Sequence, residues 1–359
     1  MMNGTNSALM NRTNSCEPVN NLANTFFIVL YSVMFLVGLV LNGFTLRVYF
    51  CVAQHRPSSS VTIYLKNLAA SDFLISLCLP LRIMNFASNS TLIRQVYCNF
   101  GAAAFYLNMY ASILFMGFIA ANRYMKIVHP LGNHFFQKAR AAYIISISTW
   151  GLLLAMTSSY VILSLLTKGN KEELPGMVSC DVLHSKQLSL LYKIIHSFSA
   201  ILFLIVLMAL ILFYHSTSRR LSLAQRTQTT SSNSKKLIKS RRNMLVLVTV
   251  FCVCFVPYHL VRLPYAFKKS LFCSWSWFFY VKELTVLVSV LNVCLDPLIY
   301  FIFCKAFRAQ MSMRRGVHTQ QSSMQEEQTD TRSSDGWLNS LRNLKRLSVI
   351  SVTRQSSVL

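Results

Sequence analysis

Apolar residues along the chain gather into seven runs, near 26–50, 61–84, 99–121, 142–166, 188–214, 244–267 and 277–303, separated by polar stretches. Each run reaches about the 20 residues that a helix needs to cross a bilayer. Buried as core helices of a water-soluble protein, seven such runs would leave too little polar surface. The pattern therefore predicts an all-α fold, a seven-transmembrane helix bundle over 25–304, preceded by a polar extracellular tail, 1–24. After the last run, "KAFRAQMSMR" at 305–314 predicts a short amphipathic helix on the membrane surface. From 315 to 359 the chain is rich in Ser, Gln, Thr and Arg, which predicts a disordered cytoplasmic tail. No internal repeat is visible.

Composition agrees: 53% of residues are hydrophobic and only 13% charged, against about a quarter charged in a soluble domain. A net charge of +24 would suit nucleic acid, but its placement points elsewhere. The stretch 215–243, read as a loop, holds Arg219, Arg220, Arg226, Lys235, Lys236, Lys239, Arg241 and Arg242 and no acidic residue. Lys126, Lys138 and Arg140 flank the loop between spans three and four, whereas 1–24 carries only Arg12 and Glu17. The positive-inside rule then puts the N-terminus outside and the C-terminus inside a plasma-membrane, multi-pass protein. Its basic face meets anionic lipid or an acidic partner, not nucleic acid.

Residues 1–24 lack the apolar core and cleavage site of a signal peptide, so the first span is expected to direct insertion. Asn3, Asn11 and Asn89 each begin a glycosylation sequon, all on the predicted outer side. Cys51, Cys78, Cys252, Cys254, Cys294 and Cys304 fall in spans or at the inner side and are expected to be reduced thiols. Cys16, Cys98, Cys180 and Cys273 fall outside, where four cysteines allow three pairings.

Polar residues inside spans are costly and mark function. Asn42, Asp72, Ser112, Asn292 and Asp296 lie at mid-depth in spans one, two, three and seven, and fit a small polar cavity. In "FVPYHLVRLPYAFKK", Phe255, Tyr258, His259 and Arg262 fall at i, i+3, i+4 and i+7, so one face of span six carries a cation. Near the mouth of a bundle such a cation is hydrated or paired, and the arginine fork suits phosphate oxygens.

"LAASD" with Asp72, Cys98 at the top of span three, "NRY" at its foot, Trp150, "CFVPYH" and "DPLIY" together resemble the rhodopsin-like (class A) G protein-coupled receptors over roughly 25–310. The resemblance implies an outer ligand pocket and an inner face that opens to a heterotrimeric G protein, of inhibitory type. It implies a switch built from Asn122, Arg123, Tyr124, Pro257, Asp296, Pro297 and Tyr300. It also implies an allosteric sodium ion held by Asp72, Ser112, Asn292 and Asp296, with no other cofactor or metal. The disulfides it implies are Cys98–Cys180 and Cys16–Cys273. Three positions depart from the family pattern: Asn122 replaces an acid, Val206 stands near the usual proline of span five, and Asp296 replaces the commoner Asn.

"IYLKNLAASDF", "FYLNMYASI", "CFVPYHLVRLPY" and "VKELTVLVSVLNVCLDPLIYF" are similar to the purinergic branch that senses ADP and UDP-sugars. There the residues matching His259, Arg262 and Lys282 line the pocket and meet phosphate, and Arg82 matches a basic position. Tyr106 and Tyr110, at i and i+4 in span three, would stack on a base or pack on an acyl chain. "ANRY", "SSYVIL" and "KIIHSF" resemble the platelet-activating-factor receptor, so a phospholipid or lysophospholipid is the alternative ligand.

Structural roles compete at each position. Arg262 would snorkel to the interface or pair with Glu283, and Lys282 would point away from its neighbour Glu283. His259 would bond a tyrosine, Tyr106 and Tyr110 would pack, and Lys268 and Lys269 would be solvated. The C-terminal Ser357, Val358 and Leu359 suit β-strand addition to a PDZ domain. Ser222 and Ser348 follow basic pairs, as phosphorylation sites do. A transporter or channel is the reading from another class, disfavoured by the absent repeat. No nucleophile or metal constellation suggests an enzyme.

Overall fold

The computed structural model describes residues 21–52, 59–88, 90–128, 135–167, 180, 185–226, 232–267 and 276–303. Asn3, Asn11, Asn89, Cys16, Cys273, Cys304, Lys268, Lys269 and everything from 305 onward lie outside the described residues. Seven helices are long and apolar enough to cross a membrane: Asn21–Phe50, Ser60–Ala87, Thr91–Val128, Ala139–Leu166, Lys186–Leu223, Leu237–Phe267 and Trp277–Phe303. They are spans one to seven below. No strand occurs among the described residues.

Sequence explains their arrangement. Of the most apolar stretch of span three 72% is buried, against 11% for span four, so span three is the axis and span four faces lipid. Span three earns that place with small residues, Ala103, Ala111, Gly117 and Ala120, that let neighbours approach. A Cβ on Gly117 would lie 3.0 Å from Val206 Cγ1. Val206, near the place where a proline was expected in span five, thus fills a notch in span three, within one unbroken helix, Lys186–Arg226.

That helix and the next, Ser232–Phe267, correct one expectation. Residues 215–226 and 232–243, read as loop, are helical. The spanning segment supplies the costly nucleus, and Leu, Ala, Gln, Arg and Lys extend it cheaply.

Span seven is broken between Ser276–Val290 and Asn292–Phe303. Pro297 has no N–H to give the Val293 carbonyl four residues back. Asn42 of span one supplies the missing donor, Nδ2 to Val293 O at 2.9 Å. A proline in one helix is thereby satisfied by an asparagine of another.

Candidate functional site

A cavity of about 430 Å³ opens at the end of the bundle that carries Cys98 and Cys180, which form a disulfide. Spans two, six and seven bring Arg82, Arg262 and Lys282 to its wall, with Tyr106, Tyr110 and Glu283. Leu107, Leu153, Met156 and Ile195 line an apolar side from spans three, four and five.

Arg262 is partly buried and leans over three tyrosines, Tyr106 and Tyr192 at 5.5 Å and Tyr265 at 5.8 Å. Its Nε donates to His196 Nε2 at 3.4 Å. Glu283, the partner expected for Arg262, is held by Arg82 instead, Nη2 to Oε2 at 2.5 Å. The two arginines stand on different helices, and helix periodicity carries no information about which one reaches the carboxylate. Lys282 does not point away from Glu283. Its flexible stem brings Nζ within 3.6 Å of Oε1, under Tyr265 and Phe279.

His259 shares the face of Arg262 but sits one turn deeper and is not among the residues lining the cavity. Its Nδ1 meets the Phe255 carbonyl at 2.8 Å, and Tyr110 Oη meets Nε2 at 3.2 Å. Phe203 stacks on its ring at 3.7 Å. The hydrogen-bonded structural role therefore describes His259 in this structure. Tyr110 supports the cavity floor through that bond, whereas Tyr106 is partly exposed in the wall.

Halfway along the bundle the polar residues converge. Asp72 Oδ1 accepts from Ser112 Oγ at 3.0 Å and from Asn292 Nδ2 at 3.3 Å. Its Oδ2 accepts from Tyr300 Oη at 2.6 Å. The same Asn292 amide donates to Asp296 Oδ2 at 3.0 Å, so one nitrogen serves two carboxyl groups. Asp296 Oδ1, Asn292 Oδ1 and Asn108 Oδ1 are buried oxygens with no hydrogen-bond donor among the described residues.

At the far end, Asn122 donates to Ser60 Oγ of span two at 2.8 Å. Arg123 donates to the Phe303 carbonyl at 3.1 Å and lies 4.6 Å over that ring, tying spans three and seven. Tyr124 stacks on Phe213 of span five at 4.7 Å. Pro257 lies inside the continuous helix Ser232–Phe267, distant in sequence from these contacts.

Sequence reasoning did not select Tyr97, Tyr192, His196, Arg94 or Asn108. Tyr97 and Arg94 precede the apolar run of span three, where the polar flank hides them. Tyr192 and His196 share one helical face at i and i+4, which was a usable signal.

A model of the 7 transmembrane receptor (rhodopsin family) matches residues 42–300. Purinoceptor 14 of Bos taurus is 36% identical, over 88% of this chain and 92% of its own. Purinoceptor 13 of Homo sapiens is 32% identical over 92% of each chain. G-protein coupled receptor 87 of Mus musculus is 31% identical over 85% of this chain and 84% of its own. Matches of this extent, on a bundle of seven apolar helices with a buried polar centre, show that the chain belongs to the rhodopsin family of seven-transmembrane receptors.

Proposed function

We propose that the protein is a receptor for an extracellular phosphate-bearing small molecule, a nucleotide or nucleotide sugar. As a member of its family it is a multi-pass plasma-membrane receptor, not an enzyme, and it couples a small-molecule ligand to a heterotrimeric G protein. The observation that carries the ligand reading is the convergence of Arg82, Arg262 and Lys282 on one cavity that also holds Tyr106. Guanidinium groups match phosphate oxygens, and a tyrosine face accepts a base. Two relatives bear the name purinoceptor, which supports the same class.

The apolar side formed by Leu107, Leu153, Met156 and Ile195 favours a second reading, a lysophospholipid or platelet-activating-factor-like ligand. Both readings share the phosphate. Nucleotides, UDP-sugars, and ether and lyso phospholipids should be screened against nucleotide exchange on a purified G protein. A response to any of the first two supports the main reading, and a response to phospholipids alone replaces it. No response from any class removes both readings of the agonist.

The signal is a population shift. A ligand drawing spans six and seven toward span three can move the bundle only through its greater affinity for the signalling state. Asn122, Arg123, Tyr124, Pro257, Asp296, Pro297 and Tyr300 form the switch, and the G protein is of the inhibitory type. The buried oxygens around Asp72, Ser112, Asn292 and Asp296 fit a sodium ion, whose charge would offset paired carboxylates. The N-terminus lies outside, with glycans on Asn3, Asn11 and Asn89 and a Cys16–Cys273 bridge; the C-terminus meets a PDZ domain.

A further inference from the structure

Arg82 lines the cavity yet is only 4% exposed. Four rings surround its guanidinium: Tyr31 at 5.0 Å, Phe105 at 5.6 Å, and Phe86 and Tyr97 at 5.9 Å. Nη1 donates to Tyr97 Oη at 2.6 Å and Nη2 to Glu283. Spans one, two, three and seven thus close on one side chain. Aromatic faces with a carboxylate are the chemistry that captures an organic cation. Here the protein's own arginine fills that place.

The guanidinium is not saturated. Nε–H is buried and has no acceptor among the described residues. Nε and Nη2 form one edge of the planar fork, the edge that takes two parallel bonds from a carboxylate or phosphate. Glu283 occupies half of it with a single oxygen, while its other oxygen lies 3.6 Å from Lys282 Nζ. Among the described residues lining the cavity Glu283 is the one carboxylate, and the same wall carries Arg82, Arg94, Arg262 and Lys282.

We propose that Glu283 is a built-in counter-ion that closes the phosphate subsite. An anionic group of the ligand exchanges with the Glu283 carboxylate on Arg82, and that exchange releases span seven from span two. This rests on the phosphate reading of the cavity. It adds a selectivity: the entering anion must offer two oxygens to the Nε–Nη2 edge to outcompete a carboxylate already seated there. A ligand with one weak acceptor would leave the pair closed.

Inorganic pyrophosphate is the probe, and its affinity is read from the thermal unfolding of the purified full-length receptor. Glu283→Gln removes the competing charge and should bind pyrophosphate at least about tenfold more tightly than the wild type. Arg82→Gln combined with Glu283→Gln removes both charges of the Arg82–Glu283 pair and should bind it at least about tenfold more weakly than the wild type. Equal or weaker binding by Glu283→Gln overturns the proposal, as does absence of binding to both that variant and the wild type. If Glu283→Gln does not fold, the double variant decides, and unchanged affinity there overturns the exchange. The functional reading fails separately, if no nucleotide, UDP-sugar or phospholipid activates the wild type while the pyrophosphate series behaves as stated.

Discussion

The hydroxyl of Tyr300 donates to Asp72 Oδ2 at 2.6 Å and so ties the second half of span seven to the middle of span two. Both residues are fully buried. Replacing the tyrosine by phenylalanine keeps the ring against Tyr49, 6.3 Å away, and removes only the donor. A buried acceptor that loses its partner costs about 1–3 kcal/mol. Tyr300→Phe should lower the unfolding midpoint of the ligand-free receptor. An unchanged midpoint would mean that another donor takes over at Asp72.

Asn122 is buried and bonded to Ser60, beside an Arg123 that reaches the Phe303 carbonyl. It lends span two a donor but gives Arg123 no charge. An aspartate there would offer Arg123 a charge partner, and Ser60 can turn to donate to it. Charge-assisted bonds are about twice as strong as neutral ones. The closed form should gain about 1 kcal/mol, on the order of a fivefold shift in the closed-to-open ratio. Ligand-free G protein activation, compared at matched surface density, should fall in Asn122→Asp. Equal or higher activity would place the closing contacts elsewhere.

The seven spans were legible because lipid demands long apolar runs, and the polar centre because lipid makes each exception conspicuous. Asp72, Ser112, Asn292 and Asp296 meet at mid-depth, whereas Asn42, expected with them, bonds the Gly38 and Val293 carbonyls instead. Depth within the cavity was less legible. His259 and Arg262 share a face, yet one turn separates a packed histidine from a cavity-wall arginine. Partner choice was not legible at all: Arg82 and Glu283 meet across 201 residues, and no local pattern encodes that pairing. The helices running through 215–226 and 232–243 were hidden by their charge, which marks solvent rather than loop.

The Cys98–Cys180 disulfide joins residues 82 apart. A loop of that length corresponds to roughly 4–5 kcal/mol in the chain-entropy model. Cys98→Ser with Cys180→Ser should greatly reduce surface expression, and peptide mapping without reduction should find the two cysteines linked. Cys180 linked instead to Cys16 would overturn the pairing.

Two glycines give opposite expectations. A Cβ on Gly38 would stand 2.6 Å from Ser76 Oγ and from Val293 Cγ1, while one on Gly151 meets nothing within 4 Å. Overpacking of this kind costs about 1–3 kcal/mol, so Gly38→Ala should melt earlier. Gly151→Ala should melt at the same temperature or later, since alanine favours helix by about 1 kcal/mol. The reverse order would mean that spans one, two and seven pack less tightly than described.

Arg262 decides whether the cavity reads phosphate. It stands among Tyr106, Tyr192 and Tyr265 with one N–H on His196, so its ring of tyrosines would hold the guanidinium in place for a ligand. Losing a buried charge partner of a ligand costs about 2–5 kcal/mol. Arg262→Ala should therefore cut agonist potency by at least about thirtyfold at unchanged surface expression. Arg262→Lys keeps the charge but not the planar fork or its stacking, and should fall between alanine and the wild type. His259→Phe is the control: it removes the bond to Tyr110 beneath the cavity without removing a cation from the wall. Its potency loss should be the smaller of the two. A loss of less than about threefold in Arg262→Ala, well under 1 kcal/mol, would make the arginine an interface anchor and leave the phosphate without its main support.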